Sequence, residues 1–315
     1  MHKVLKYPSV SWSMPLLFSQ SSLFIPFFHE LFKENNPIKY IFGAPRCKWA
    51  GGRDSNFHIP SLNLTERMIK GISKYGMTPA FTLSNTSLKK EDLDDKYCNG
   101  LLEIISDCNA EVIVVSELLS EYIRKKFPNI KICASIIKSI PTTLGNRDEA
   151  EHLNELIDKY DRVVMRPEFI IDNKPIDKIK DKNKIEILIN QCCAVNCKTS
   201  KIHYKVEELC LKGLITTEQR GQVTRKICPI YNEANVRQND LTEEQIQRCI
   251  DNGITHFKLA GRNYPFNVLW NEFFEYFFSA NVNKDELRKQ LDKFMVTTLE
   301  TSLDLQLYYF ICKKF

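Results

Sequence analysis

The sequence predicts an α/β fold, a TIM-like (β/α)8 barrel, on three observations. Short apolar runs rich in β-branched residues alternate with longer amphipathic stretches, which is the pattern of repeated β-α units. Eight such short runs are present, the number of strands that closes this kind of barrel. The 315 residues suffice for one large barrel without cross-links. A doubly wound open sheet is the alternative that the same alternation allows.

Each candidate strand is rich in residues that favour extended backbone. The strands are VSWSM near Val10, IKYIFG at Ile38–Gly43, PAFTLS at Pro79–Ser84, EVIVVS at Glu111–Ser116, KICASI at Lys131–Ile136, RVVMRP at Arg162–Pro167, IEILIN at Ile185–Asn190 and HFKLAG at His256–Gly261. The helical stretches between them are SLFIPFFHELFKEN, NLTERMIKGISKYG, NGLLEIISDCN, LLSEYIRKKF, EAEHLNELIDKY and TEEQIQRCIDNG. Several end on Gly or Asn, and Thr65 and Thr242 are candidate caps.

The chain shows no low-complexity linker and no internal repeat, so a single domain over residues 1–315 is expected. The barrel is expected to occupy about residues 1–265, and C-terminal helices over 266–315 are expected to close it. The segment Val195–Asp240, polar and rich in cysteine, predicts an irregular excursion before the last strand. The aromatic stripe in FNVLWNEFFEYFF predicts core packing against the barrel, with a partner-binding face as the alternative.

Composition indicates a globular protein of the cytoplasm. Hydrophobic residues make up 43% and charged residues 26%, and the net charge of +5 is spread along the chain, which permits an anionic substrate or RNA. The eleven cysteines are odd in number and scattered, unlike a secreted disulfide framework. Prolines and serines interrupt the apolar N-terminal stretch, which disfavours a signal peptide. No run approaches the roughly 20 apolar residues of a membrane span.

Several common catalytic motifs are absent from the sequence. It contains no G-x-x-x-x-G-K-[ST], no G-x-G-x-x-G, no H-E-x-x-H and no G-x-S-x-G. Nucleotide hydrolysis, Rossmann cofactor binding, zincin proteolysis and serine hydrolysis therefore lose their simplest support.

Three cysteines in the excursion are candidate metal ligands. Cys193 and Cys197 form Cys-x3-Cys after a strand, and Cys228 follows in the same polar segment. Thiolates are soft ligands that suit zinc or an iron-sulfur cluster. A fourth ligand is Cys47 or Cys210, and Cys47 is favoured because it follows the second strand and so should lie at the same end of the barrel.

The spacing of the cysteines matches neither a radical S-adenosylmethionine motif nor a zinc ribbon. The remaining cysteines are expected to pack in the core. A radical S-adenosylmethionine motif needs a further cysteine three positions after Cys197, where Ser200 stands, and the Cys-x2-Cys pairs of zinc ribbons are missing. Cys192 should point away from Cys193 into the core. Small buried hydrophobes are also expected at Cys98, Cys108, Cys133, Cys249 and Cys312.

The segments EILINQCCAVNCKTSKIHY, CPI and GITHFKLAGRNYP resemble the strand, cysteine loop and terminal strand of the collagenase-like peptidase family U32. IFGAP with GGR, FTLSN and VVMRPE resemble the second, third and sixth strands of that family, so the resemblance covers nearly the whole chain. It implies a barrel with a 4Fe-4S cluster held by four cysteines, here Cys193, Cys197, Cys228 and, as the fourth, Cys47 or Cys210, with Cys47 favoured. Relatives include ubiquinone-biosynthesis proteins and enzymes that hydroxylate RNA bases without oxygen.

This resemblance implies an iron-sulfur-dependent enzyme, with oxygen-independent hydroxylation or a related modification of a small-molecule or RNA substrate. The cysteine spacing departs from that of the ubiquinone proteins, and the additional domain of the RNA enzymes is missing, so neither substrate carries over. The alternatives are a peptidase and a non-catalytic, cluster-carrying subunit that binds a second barrel protein.

Polar residues at strand ends are candidates for the chemistry beside the cluster. Arg166 and Glu168 follow the sixth strand, where a cation and a carboxylate can hold an anion and relay a proton; a surface ion pair is the alternative. Lys258 and Arg262 add positive charge at the last strand, or form a solvated rim. His203 is a candidate acid and base, or a histidine bonded to backbone.

Two further substrate-binding candidates lie after the second and third strands. Gly51, Gly52 and Arg53 predict an anion nest with an arginine clamp, or a plain turn. Asn85 can hydrogen-bond a substrate or cap a helix.

Overall fold

The protein is described from a computed structural model that covers residues 5–51, 59–140, 148–232, 238–262 and 264–301. The strands are β1 (Ser11–Met14), β2 (Ile38–Gly43), β3 (Thr78–Leu83), β4 (Glu111–Val114), β5 (Ile132–Ala134), β6 (Arg162–Met165), β7 (Ile185–Leu188), β8 (Asn190–Ala194), β9 (Gln238–Asp240) and β10 (His256–Lys258). Eight of them close into a parallel barrel in the order β1, β10, β7, β6, β5, β4, β3, β2. The predicted TIM-like fold is confirmed, and the barrel strands are the predicted ones.

Helices connect the strands on the outside of the barrel. They are α1 (Phe24–Phe32), α2 (Leu62–Lys74), α3 (Lys96–Asp107), α4 (Glu117–Lys126), α5 (Glu149–Lys159), α6 (Glu168–Ile171), α7 (Ser200–Leu211), α8 (Thr217–Ile227), α9 (Pro229–Asn232), α10 (Glu243–Asp251), α11 (Phe266–Phe277) and α12 (Lys284–Thr301). Thr242 caps α10 as predicted. The cap of α2 is Ser61, whose side chain accepts from the Leu64 amide, so the prediction of Thr65 was one turn too late.

The excursion between β7 and β10 is present, but it is largely helical rather than irregular. Helices α7, α8 and α9 occupy most of it, and β8 pairs antiparallel with β9 at its base. Thr216 and Gln219 form a capping box that begins α8. The weak amphipathic pattern of these short helices explains why the sequence suggested a loop. The excursion covers one side of the barrel's carboxyl end.

Side chains alternate along each barrel strand between the helical layer and the interior of the barrel. Trp12 of β1 pairs in register with Phe257 of β10, which pairs with Ile187 of β7, and all three are buried in the large core under the helices. A second, smaller core lies inside the barrel and contains Phe42, Ala80, Ile113, Cys133, Val164 and Leu188. The intervening interior positions of several strands carry charged side chains.

The aromatic stripe of α11 is core, as the sequence predicts. Phe273 is fully buried, and its ring centroid lies 4.6 Å from that of Phe28 in α1 and 4.7 Å from that of Phe277. Cys98, Cys133 and Cys249 are buried as expected and Cys108 is half-buried, whereas Cys312 lies outside the described residues. The boundary at residue 265 stays a prediction. Among the described helices, none combines the length and apolar character required to cross a membrane.

Candidate functional site at the mouth of the barrel

An ionic network fills the lower part of the barrel interior. Its centre is the fully buried Glu186, whose Oε1 accepts from Arg162 Nη1 at 2.6 Å and whose Oε2 accepts from Lys258 Nζ at 3.2 Å. His256 Nε2 lies 3.1 Å from Glu186 Oε1. Arg162 Nη2 donates at 2.8 Å to Glu111 Oε2 on β4. The network therefore ties together four strands of the barrel.

The network holds two carboxylates against two cations. Burial alone would raise the pKa of Glu186, but Arg162 and Lys258 hold that pKa well below its usual value. Burial lowers the pKa of His256 and outweighs the opposite effect of Glu186, so this imidazole is neutral near pH 7. Burial also lowers the pKa of Lys258, against the attraction of Glu186. With Lys258 protonated the group is neutral overall.

The protein is expected to lose stability as the pH falls below about 6.5, the ordinary pKa of histidine. Because the pKa of His256 is lowered in the folded chain, the unfolded chain binds this proton first. Each unit by which the pH falls then lowers the free energy of unfolding by up to about 1.4 kcal/mol, until the pH reaches the pKa of His256 in the folded chain. Urea denaturation at several pH values measures the dependence. His256→Gln is the control, and an equally steep dependence in that variant would contradict the prediction.

A cavity of about 220 Å³, called here the mouth cavity, opens above the network at the carboxyl end of the strands. Phe42, Ile113, Val164 and Leu188 form its apolar wall, and Lys258 lines it as well. The Lys258 ammonium lies 3.6 Å from the centroid of the Phe42 ring, so a cation-π contact holds it against that wall. Lys258 therefore joins the ionic network to the cavity.

The rim of the mouth cavity carries several predicted and unpredicted polar groups. Arg262 lines it, which places both predicted cations of the last strand at one cavity. Tyr204, Tyr264 and Cys193 also line it. Cys192, expected in the core, is exposed here instead, because β8 is not a barrel strand and one of its faces borders the cavity.

Two buried polar atoms in this cavity lack a partner. Thr82 Oγ1 and Gln191 Oε1 make no hydrogen bond within the described part of the chain, although Thr82 is 7% and Gln191 9% exposed. Leaving such a group unpaired costs about 1–3 kcal/mol, so water or a ligand is expected to satisfy it. Both atoms make the cavity a candidate binding site.

A second cavity of about 270 Å³, called here the side cavity, adjoins the first and shares Gln191 and Cys193 with it. Arg166 and Glu168 line it, as expected for the end of β6, with Arg166 Nη1 3.6 Å from Glu168 Oε1. Arg166 Nη2 also donates at 2.7 Å to Glu149 Oε1. The pair is buried, so it is not the surface ion pair of the alternative prediction.

Glu168 has one oxygen available for chemistry. Asn239 Nδ2 donates to its Oε1 at 2.8 Å, whereas its Oε2 has no hydrogen-bond partner among the residues described. The side chain is 4% exposed and lines the side cavity. A buried carboxylate with one free oxygen is suited to accept a proton or to bind a donor.

The structure gathers the three excursion cysteines at the same end of the barrel. Cys193 and Cys197 both line the side cavity. Cys197 Sγ lies 3.3 Å from Thr199 Oγ1, and this hydroxyl donates at 2.8 Å to the carbonyl of Ile227, the residue before Cys228. Over residues 5–51, 59–140, 148–232, 238–262 and 264–301, no group of three or more His, Cys, Asp or Glu side chains is arranged to hold a metal ion.

The two candidates for a fourth ligand, Cys47 and Cys210, line neither cavity. Cys47 is buried and hydrogen-bonds with Cys98 at the start of α3, which together with burial raises the pKa of the Cys98 thiol. Cys47 is not among the side chains that line either cavity. Cys210 is half-buried near the end of α7.

The remaining predicted residues have other surroundings. His203 Nε2 lies 3.5 Å from Glu207 Oε1 on α7, and His203 lines neither cavity. Asn85 is buried and joins two loops: its Nδ2 donates to the Lys48 carbonyl at 2.7 Å and its Oδ1 accepts from the Ser87 amide at 2.9 Å. The functional roles of His203 and Asn85 stay predictions.

The loop after β2 approaches the end of β3 closely. A Cβ at Gly51 would lie 2.7 Å from the Ser84 carbonyl oxygen, so only glycine permits this contact. Gly52 and Arg53, the other residues of the predicted anion nest, lie outside the described residues.

Sequence reasoning missed the ionic network. The sequence did indicate it, because three otherwise apolar strands each contain one charged residue at a position that faces the barrel interior. These residues are Glu186 in IEILI, Arg162 in RVVM and Glu111 in EVIVV. A closed barrel buries both faces of each strand, so a charged residue there predicts a buried partner.

Comparisons with known proteins agree with the fold. No family model matches the sequence, and no curated protein matches it. The U32 peptidase Mk0906 is a similar solved structure, with a TM-score of 0.52 and 12% identity over 80% of this chain and 92% of that one. Two further solved structures are more distant. CpGH84B has a TM-score of 0.41 and 9% identity, over 97% of this chain and 54% of that one. D-psicose 3-epimerase has a TM-score of 0.36 and 10% identity, over 92% of this chain and 98% of that one. The likeness to the U32 peptidase Mk0906 shows that the two chains share the TIM-barrel fold.

Proposed function

We propose that this protein is an enzyme that carries a 4Fe-4S cluster beside the mouth cavity and modifies a small organic substrate bound there, by oxygen-independent hydroxylation or a related reaction. One observation supports it most: Cys193 and Gln191 form a wall shared by the mouth cavity and the side cavity. A metal centre on Cys193 would therefore adjoin the bound substrate. The cluster would supply electron transfer.

The cysteines suit iron in chemistry, but their arrangement is incomplete. Cys193, Cys197 and Cys228 lie on one segment of the chain. Their thiolates are soft ligands of the kind that holds iron-sulfur clusters. The described residues nevertheless hold no ready group of three ligands, and Cys47 contacts Cys98 instead. Binding of a cluster would therefore require Cys193, Cys197 and Cys228 to move closer together, with Cys47 or Cys210 as the fourth ligand.

The size of the mouth cavity limits the substrate. Its volume of about 220 Å³ lies below the range of roughly 300–1,000 Å³ that is usual for ligand sites. A small molecule or a single base extruded from RNA fits this volume better than a folded macromolecule. Glu168, with its free Oε2 in the side cavity, is the residue proposed to accept a proton, and Arg166 holds it in place.

Anaerobic purification of the natural chain is expected to yield a coloured protein with stoichiometric iron and sulfide. Alanine at Cys193, Cys197 or Cys228 is expected to abolish the colour, because each removes a ligand. The same replacement at Cys47 and at Cys210 identifies the fourth ligand. Iron analysis, sulfide analysis and visible absorption measure the outcome.

Cys108→Ala is the matched control for these variants, since this half-buried thiol directly follows α3 and lines neither cavity. It is expected to keep iron and colour. Bound zinc in place of iron, or colour that survives the loss of both Cys193 and Cys197, would overturn the cluster proposal.

A peptidase is the second candidate, favoured by the free oxygen of Glu168 and by the activity named for the U32 structure. Metal-dependent peptide cleavage that is lost in Glu168→Gln and kept in Cys193→Ala would select it. Stable association with a second barrel protein, with no activity of this chain alone, would instead indicate a cluster-carrying subunit.

A further inference from the structure

Lys258 is the lysine among the described residues that line the mouth cavity, which its amine shares with the thiols of Cys192 and Cys193. Its Nζ lies 3.2 Å from Glu186 Oε2 and 3.6 Å from the centroid of the Phe42 ring. Lys258 is 7% exposed and lines the mouth cavity, so a ligand bound there would lie beside this side chain. Nothing in the proposed cluster chemistry uses this amine.

The charge balance of the network decides which ligands suit this lysine. Glu186 and Glu111 offset Arg162 and Lys258, so the group is neutral when the Lys258 nitrogen carries one positive charge. Arg262 on the rim of the cavity could offset an anionic group there, whereas an anion at the level of Lys258 would lie beside the buried carboxylate of Glu186, which repels it. A neutral carbonyl compound that becomes a protonated imine keeps the positive charge on the nitrogen beside Glu186.

We infer that Lys258 forms a reversible imine with a small aldehyde or ketone that enters the mouth cavity. The apolar wall of Phe42, Ile113, Val164 and Leu188 would bind the hydrocarbon part of such a compound. The unpartnered Thr82 hydroxyl can donate to the carbonyl oxygen, and the unpartnered Gln191 Oε1 can accept from a substrate hydroxyl.

The reaction balances without an oxidant or reductant. The ammonium first gives a proton to solvent water, and the neutral amine attacks the carbonyl carbon to form a C–N bond and a carbinolamine. The carbinolamine hydroxyl takes a proton and leaves as water, and the nitrogen ends as a protonated imine beside Glu186. Burial lowers the pKa of Lys258, which increases the fraction of neutral amine at neutral pH.

Reductive trapping tests the inference. The folded protein is treated with 2-butanone and cyanoborohydride, whose hydride converts the imine to a stable secondary amine, and the modified lysines are found by peptide mass mapping. Lys258 is expected to be labelled at least about tenfold faster than the exposed Lys125, because the apolar wall of the mouth cavity would hold the ketone beside the Lys258 amine. Omission of the hydride donor should leave no stable adduct.

Lys258→Arg and Lys125→Arg are the matched variants. The first keeps a cation beside Glu186 and should lose the rapid adduct, whereas the second should keep labelling at Lys258. Equal labelling of Lys258 and Lys125 in the natural chain would overturn the inference, even if the Lys258 variant failed to fold. Iron content is measured on the same preparation, so failure of the cluster proposal and failure of this inference are separate results.

Discussion

Glu186→Gln is expected to lower the free energy of unfolding by about 3–5 kcal/mol. The change removes the carboxylate that faces Arg162, Lys258 and His256, and it leaves two buried cations with one remaining counter-charge, Glu111. Glutamine has nearly the same shape, so the loss reflects charge rather than packing. Urea denaturation at pH 7 measures the effect.

The pH dependence of this effect provides a second check. Because the pKa of Glu186 is lowered in the folded chain, its stabilisation is present above the unfolded pKa of about 4.3 and is lost as the pH falls through the folded value. The difference between the natural chain and Glu186→Gln should therefore narrow in acid. Glu66→Gln, which breaks an exposed pair with Lys70, is the control and should cost about 0–1 kcal/mol. Equal losses in the two variants would refute the role of the network.

Phe273→Ala is expected to cost about 3–5 kcal/mol of unfolding free energy, as other deletions of a buried phenylalanine do. The ring is fully buried, and its centroid lies 4.6 Å from Phe28, 4.7 Å from Phe277 and 5.3 Å from Phe278. Removing it leaves a cavity between α1 and α11 that these rings cannot fill. Thermal or urea unfolding measures the loss.

The neighbouring Phe274→Ala is the matched control, because this ring is half-buried and lies 5.8 Å from Phe278. It should cost less than half as much as Phe273→Ala. If the two changes were equally mild and Phe273→Ala instead weakened association with another protein, the aromatic stripe would be a partner-binding face rather than core.

Much of the fold could be predicted because each strand and helix is indicated by its own short stretch of sequence. Each barrel strand is a short run of residues that favour extended backbone, and the number and alternation of the runs predict a barrel. The same reasoning placed Arg166 and Glu168 at the end of β6, and Lys258 and Arg262 at the last strand, at the mouth. Strand ends meet on one side of any parallel barrel, so position along the chain was sufficient.

The directions of individual side chains were less predictable. Cys47 follows β2 as reasoned, yet it contacts Cys98 instead of a cavity, because the loop after β2 turns it towards α3. Cys192 is exposed because β8 pairs with β9 outside the barrel. Neither outcome follows from spacing along the chain, since both depend on which element packs over a loop.

The amino-acid sequence by itself determined the eight strands, their parallel closure and the end of the barrel at which polar residues collect. Hydrophobic periodicity and chain connectivity suffice for these features, because burial acts on each segment separately. Only the tertiary structure decided that Glu186, Arg162, Glu111, His256 and Lys258 form one buried network below the mouth cavity. Charges from separate strands offset one another only when the barrel brings them within a few ångströms, where water is excluded and their attraction is strong.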